Sequence, residues 1–394
     1  MKTQIHDIVV DNADYVIALR RHFRTFPEVG GKEYETQKKI MSELTAMGLT
    51  PKAIAGTGVI VQIDGGKPGK TVAIRADLDA LPIQDEVEQP YCSQHAGICH
   101  ACGHDGHTAM LLGIARVFNA IKSEMTGSIR LLFQPSEEQF PGGALGMIEE
   151  GALAAVDAII GAHLWQPLEA GAMGITFGPM MAAPDQFTIT VQGRGGHGSM
   201  PHQTIDPLYV GAQMVLALKT ITGNNINANE LAVLSLGMFK AGEVFNIIPD
   251  SAILQGTVRT FDTKTRELVF AHIDRIASGI SAAAGATYKL ESCFGHPPVV
   301  NNPQIAKVVA ECGKRVLGKD AVIEISPVMV GEDFSFYQQH VPGCFMFIGI
   351  GNSNKGLIYP HHHPKFDMDE KALGYGVEIM VESALQLLNQ EANS

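Results

Sequence analysis

The chain has 394 residues, more than a single core usually serves, so two domains are expected. Hydrophobic residues make up 45% and charged residues 18%, which excludes a disordered chain, and no apolar run reaches the roughly 18 residues of a membrane span. A net charge of −12 without a long Lys/Arg run excludes nucleic acid as a partner, since phosphates would find no counter-charge.

The start, Met1 to Asp7, lacks the basic segment and apolar stretch of a secretory signal, so a cytoplasmic location is expected. Six cysteines are too sparse for a disulfide framework in a chain of this length, although a Cys92–Cys99 bridge stays open.

In chain order, the spacing of apolar residues predicts helices over 13–24 and 33–46, then strands at 58–63 and 71–75. A helix over 108–121 follows, with further strands at 128–133, 158–162 and 344–349. Helical runs between several of these make the rhythm of an α/β domain with a mostly parallel sheet. From about Gln186 the texture changes to strand 187–191, helix 205–221, strands 231–239 and 253–260, helix 263–284 and strand 287–292. The order β-α-β-β-α-β matches a ferredoxin-like α+β unit. The last segment resumes the α/β pattern. The expected organisation is therefore a domain of 1–183 and 296–394, interrupted by an inserted domain of 184–295.

The octet His100-Ala-Cys-Gly-His-Asp-Gly-His107 gathers five side chains that bind metals or move protons. Thiolate and imidazole suit borderline-soft divalent cations, so the octet reads as part of a metal site, with Asp105 placed to orient a histidine or bridge two ions. A polar helix start capped by Asp105 is the plainer use of the same residues.

Three apolar strands run into acidic or imidazole groups: 71–75 into Asp77 and Asp79, 128–133 into Glu137 and Glu138, and 158–162 into His163. Open α/β sheets bind ligands beyond the carboxyl ends of their strands, so these groups are expected to converge with the Cys102/His104 loop. Glu137 and Glu138 are neighbours, and on an extended segment they would point to opposite sides, one toward a metal and one toward a water. His361-His362-His363, after strand 344–349, reads as a ligand loop or an exposed turn.

The ordered set resembles the zinc-dependent aminoacylase/carboxypeptidase superfamily, in its amidohydrolase branch of hippurate hydrolases, N-acyl-amino-acid amidohydrolases and auxin-conjugate hydrolases. The likeness spans nearly the whole chain. It is carried by Arg75-Ala-Asp-Leu-Asp79-Ala-Leu-Pro-Ile83, the octet, Phe133-Gln-Pro-Ser-Glu-Glu138, Gly161-Ala-His163, Gly195-Gly-His-Gly198, Asn246-Ile-Ile-Pro249, Gly331-Glu-Asp-Phe334 and His362-His-Pro364. The resemblance implies a metallohydrolase domain carrying a lid or dimerisation domain. It implies Cys102, His104, Glu138, His163 and His362 as ligands of two divalent ions (Zn, Mn, Co or Ni), with Glu137 as general base and Asp79 as an orienting group. Relatives often carry Ser or Asn where His363 stands, and the spacing to Pro364 favours His362 as the ligand. In the inserted domain the likeness implies that His197 reaches the substrate carbonyl, in some relatives from a neighbouring subunit, while Asn246 and Arg259 hold the carbonyl and the carboxylate. His202 is the residue most easily confused with His197.

The implied reaction is hydrolysis of the amide of a small N-acyl amino acid by activated water, without a covalent intermediate. A dipeptidase or carboxypeptidase is the nearest competitor. A Cys102 nucleophile with a histidine base leaves the acid pair unused, and a non-catalytic metal- or peptide-binding protein needs no general base. An exposed strand of the inserted domain could pair with a second copy, which leaves a homodimer open.

Overall fold

Two patterns of burial separate the strands. Strand Gly343–Gly351 is buried at every residue, the mark of a strand covered on both faces, whereas Ala183–Gln192 alternates, the mark of a sheet covered on one. The computed structural model describes residues 2–390. The chain divides into two units, one of Met1–Met180, Val300–Ser326 and Asp333–Ser394, the other of Met181–Val299 and Pro327–Glu332. Segment 327–332 groups with the second unit because Ala182 N–H is held between the carbonyls of Val328 and Val330.

The first unit is built on an eight-stranded sheet in the order Lys52–Ile54, Gly58–Asp64, Thr126–Gln134, Lys67–Asp77, Ala158–Glu169, Gly343–Gly351, Met173–Ile175, Val322–Glu324. The four central strands run parallel; antiparallel pairing appears toward the flanks, at Gly58–Asp64 and Met173–Ile175. From strand Lys67–Asp77 the chain passes through helix His104–Ile121 to the neighbour on one side, and later to Ala158–Glu169 on the other. That reversal makes the carboxyl end of Lys67–Asp77 a topological switch point, where a crevice forms. The register sets Asp77 opposite Gln134. Arg75 lies opposite Gly161 and His163 opposite Phe347, so Asp77, Gln134 and His163 share one level of the sheet.

Helix His104–Ile121 is buried along almost its whole length, beside helices Ala13–Thr25 and Lys371–Leu388. Buried helix–helix contacts of this kind are usually apolar, yet Ala13–Thr25 carries two fully buried arginines. Arg20 donates to Asp105 (2.8 Å), Asp367 (2.6 Å) and Glu370 (3.3 Å). Arg24 donates to the carbonyls of His100 (3.1 Å) and Phe366 (2.7 Å) and to Asp85 (3.1 Å). One helix thus ties the octet to the segment that follows the histidine triplet.

The second unit has a four-stranded antiparallel sheet in the order Ala232–Ala241, Ser251–Thr260, Ala183–Gln192, Thr287–Cys293. With helices Pro207–Leu218 and Thr263–Ala284 this is the ferredoxin-like arrangement, and Phe187, Ile189, Val210, Met214, Leu254 and Ile273 fill its core. The helix expected over 205–221 is shorter. Asp206 caps it, accepting from the N–H groups of Leu208 and Tyr209, and Pro207 occupies the first turn, where no N–H is missed. All six cysteines are free thiols, so the Cys92–Cys99 bridge is not formed. No helix among the described residues is long and apolar enough to cross a membrane.

Removing one partner of a buried, hydrogen-bonded ion group typically costs about 3–5 kcal/mol. Arg20→Met is therefore expected to lower the urea midpoint of unfolding strongly, and a midpoint equal to that of the natural chain would show that the network contributes no net stability.

Candidate metal centre

Four separate segments supply the site, and each is fixed locally. Cys102 precedes Gly103, whose φ of 98° lies in the left-handed region that favours glycine, and His104 then opens the buried helix. Glu137 and Glu138 follow strand Thr126–Gln134, and His163 lies within strand Ala158–Glu169. His362 sits in the loop before helix Lys371–Leu388. Its own φ is 63°, and its N–H donates to Ala101 O at 2.8 Å, which joins the histidine triplet to the octet.

Donor atoms of these residues fall into overlapping groups, each within 4.8 Å: Cys102/His104/His163, Cys102/Glu138/His362 and His104/Glu137/Glu138. Cys102 Sγ is 3.4 Å from His163 Nε2, and His362 Nε2 is 3.2 Å from Glu138 Oε1, which also lies 4.0 Å from His104 Nε2. His104 Nε2 is buried without a hydrogen-bond partner, and the buried Glu138 Oε1 faces it beside the His362 imidazole. Buried donor atoms left open and facing one another are unfavourable alone and suit a cation. Sulfur, imidazole and carboxylate in three groups with shared members have the chemistry and the number for two divalent ions.

Hydrogen bonds decide which nitrogen of each imidazole is open. His163 Nδ1 engages Leu164 O at 2.9 Å, which turns Nε2 toward Cys102, and His104 Nδ1 lies 3.3 Å from Asp79 Oδ1, which turns Nε2 toward Glu138. Asp79 also accepts the N–H groups of Glu137 (3.0 Å) and Glu138 (2.9 Å). The expectation that these two acids point to opposite sides does not hold. The strand ends at Gln134 and Ser136 takes a φ of 53°, so the chain turns and both carboxylates reach His104.

The site is electrostatically negative. Burial opposes a charge on His104, but Asp77, and after it Asp79, outweigh burial and raise its pKa to about 10. Burial, and then Glu138 and Glu137, push the Cys102 thiol well up. His163 goes the other way, pushed well below the usual imidazole range by burial and then by His107, so it is neutral and its lone pair is available. Burial would raise the Glu138 carboxyl, but His362 and His104 hold it below the usual range.

A further layer of polar groups stands behind these. His107 Nδ1 lies 2.6 Å from Asp77, and its Nε2 accepts the N–H of Leu164 at 2.8 Å. Arg75 donates to Asp77, Gln134 and Asp333. His361 Nε2 meets Leu164 O at 2.9 Å, so the main-chain N–H and C=O of one residue, Leu164, hold three imidazoles. A Cβ on Gly106 would lie 2.4 Å from Leu164 Cδ1, so any larger residue there would displace the Leu164 side chain. The spacing Asp77-x-Asp79 carried the available signal, since alternate residues of an extended chain share a face. His363 is half-buried and stacks on Tyr359.

In the second unit, His197 is exposed, lies opposite Ile247 in a two-stranded ribbon, and its Nδ1 meets the N–H (3.1 Å) and hydroxyl (2.8 Å) of Ser199. Asn246 adjoins it, through a 2.9 Å bond from Gly198 N–H to its carbonyl. Arg259 is half-buried on strand Ser251–Thr260 and is not brought to them. The ribbon leaves the other end of that strand, and the eight steps from Ser251 to Arg259 span about 26 Å. His202 is exposed in a short 3-10 turn, Pro201–Gln203.

A sequence model of the family described as Peptidase family M20/M25/M40 matches residues 73–386. An N-acyl-L-amino acid amidohydrolase of Geobacillus stearothermophilus is 46% identical over 301 residues, which cover 76% of this chain and 81% of that protein. Thermostable carboxypeptidase 1 of Saccharolobus solfataricus is 40% identical over 367 residues, 92% of this chain and 93% of that one. A Bacillus subtilis crystal structure described as a dinuclear metal binding peptidase from M20 family is 35% identical. It superposes with a TM-score of 0.85 and covers 96% of this chain and 99% of that one.

The single tryptophan, Trp165, stacks between Phe347 (4.1 Å between ring centroids) and His361 (4.9 Å), with His163 edge-on at 5.8 Å. Adding Zn²⁺ or Co²⁺ to chelator-treated protein is expected to change Trp165 emission, and Cys102→Ala to abolish the change. Identical spectra with and without ion in the natural chain would reject a metal site at His163.

Proposed function

Because the chain belongs to peptidase family M20/M25/M40 and is a metal-dependent amide hydrolase, we propose that it cleaves N-acyl amino acids to a carboxylic acid and a free amino acid. The observation that carries the reading is the pair Glu137 and Glu138 beside one buried thiol and three imidazoles. In this reading Cys102, His104, His163, Glu138 and His362 hold two divalent ions, Zn, Mn, Co or Ni. When bound, the ions polarise the amide carbonyl and acidify a water toward neutral pH. Glu137 takes the proton of the attacking water and returns it to the leaving amine. Asp79 supports both acids, because its two oxygens hold their N–H groups and one of them faces His104.

His197 and Asn246 share one ribbon and serve the carbonyl, where a donor stabilises the oxyanion as charge develops. Arg259 takes the carboxylate of the amino acid portion, for which a guanidinium is the matched fork. Within one chain these groups are too far apart for a small substrate, so His197 and Asn246 are proposed to act from a second copy. The edge strand Ala232–Ala241, with Val233, Met238 and Phe239 exposed, supports such a homodimer by offering a free ladder. The identity to a carboxypeptidase favours peptides as a second reading. Free thiols throughout suit the cytoplasm.

Rates on N-acetyl and N-benzoyl amino acids and on dipeptides, with metal analysis of each variant, test the reading. Glu137→Ala is expected to lose at least about a hundredfold in turnover with its metal retained, whereas Glu138→Ala loses metal too. Full turnover by the Glu137 variant rejects its role, and no cleavage of any amide rejects the function. Mixing inactive Glu137→Ala with inactive His197→Ala under exchange conditions is expected to restore turnover, since mixed dimers hold one intact site. No recovery in demonstrated mixed dimers would count against shared sites.

A further inference from the structure

Three successive peptide N–H groups, of Ser136, Glu137 and Glu138, each donate to a buried carboxylate. Asp79 takes the last two, and Glu33 Oε1 takes the first at 2.9 Å. The other Glu33 oxygen accepts the Thr57 hydroxyl at 2.6 Å. Glu33 is completely buried, and burying a carboxylate is costly unless its hydrogen bonds compensate. Burial raises its pKa, while the Thr57 hydroxyl and the Ser136 N–H oppose the rise.

Helix Tyr34–Ala46 does not need this group. Glu33 occupies the N-cap position, yet its side chain makes no capping bond; Glu28 instead accepts the N–H groups of Glu35 (3.2 Å) and Thr36 (2.8 Å). Ser136 does need it. The left-handed region is sterically unfavourable for a residue with a Cβ, and Ser136 adopts it with a φ of 53°. That turn rotates the next two peptides so that both N–H groups meet Asp79 and both side chains reach His104. If Ser136 relaxed to an extended conformation, Glu137 and Glu138 would alternate, and one of them would leave the cluster.

We infer that Glu33 is a positioning residue of the hydrolytic centre: by accepting the Ser136 N–H it holds the turn that aims Glu137 and Glu138 at one point. The inference rests on the roles proposed above for those two acids.

Glu33→Gln keeps an acceptor oxygen for Ser136 and an amide that can donate to Thr57, and Glu33→Ala keeps neither. Thr57→Val removes the other contact and serves as the stability control. At saturating metal, Glu33→Ala is expected to lose about a hundredfold in kcat, the scale of an ångström-sized misplacement of a catalytic group. Its KM stays within about threefold, as for loss of an interaction felt only in the transition state. Glu33→Gln restores kcat, and Thr57→Val lowers stability without lowering kcat. Hydrogen exchange supplies a readout independent of turnover, with the peptide over 134–140 exchanging faster in Glu33→Ala and recovering in Glu33→Gln. Should the alanine variant not fold, Glu33→Asp, which withdraws the oxygen by one methylene, is expected to show the same pattern. Natural kcat in the alanine variant, parallel kcat losses in Glu33→Ala and Thr57→Val, or unchanged exchange over 134–140 would overturn the inference. A natural chain that cleaves no amide would reject the proposed reaction instead, and the exchange data would still decide the role of Glu33.

Discussion

One carboxylate organises this centre. Asp79 receives the N–H groups of Glu137 and Glu138 on its two oxygens and faces His104 with one of them, so three candidate side chains take their direction from it. It stands at the switch point of the sheet, two residues beyond the strand that carries Arg75 and Asp77. A short loop leaving a buried strand has little freedom, and its carboxylate is therefore fixed before any ligand arrives. Catalytic groups held in this way reorganise little during reaction, which is where such sites gain most.

Behind Asp79 lies a second requirement, that buried donor atoms face inward while their other polar atoms are satisfied elsewhere. The main-chain N–H and C=O of Leu164 meet that requirement for His107, His163 and His361. Arg75 does the same for Asp77, whose carboxyl stays well below the usual range because His104, His107 and Arg75 outweigh its burial. Further out, Arg20 and Arg24 link the octet to the segment after the histidine triplet. Apolar packing could join these segments as strongly. Directional hydrogen bonds also set their register, and a donor misplaced by an ångström would not serve.

The elements were legible because their signal is local. An apolar run marks strand 71–75 and period-3.6 spacing marks helix 108–121, elements that in the structure extend over Lys67–Asp77 and His104–Ile121, and a β-α-β-β-α-β order marks the second unit. The residue types of the centre were legible for the same reason, since the octet opens an apolar run and the Glu137-Glu138 pair and His163 follow apolar runs. The direction of Glu138 was not. It depends on Ser136 turning left-handed, and that turn depends on Glu33, about a hundred positions earlier in the chain. Asp77 and His107 were likewise visible as residues but silent as partners.

By itself, then, the sequence determined which segments become strands and helices and which chemical groups those strands deliver to one edge of a parallel sheet. It did so because hydrophobic period and residue type are properties of neighbours along the chain. The tertiary structure alone decided which nitrogen of His104 and His163 stays open, why both acids face the same point, and that Arg259 stands a strand's length from His197. Those outcomes are set by hydrogen bonds and strand register between residues far apart in sequence, where no local pattern can carry the information.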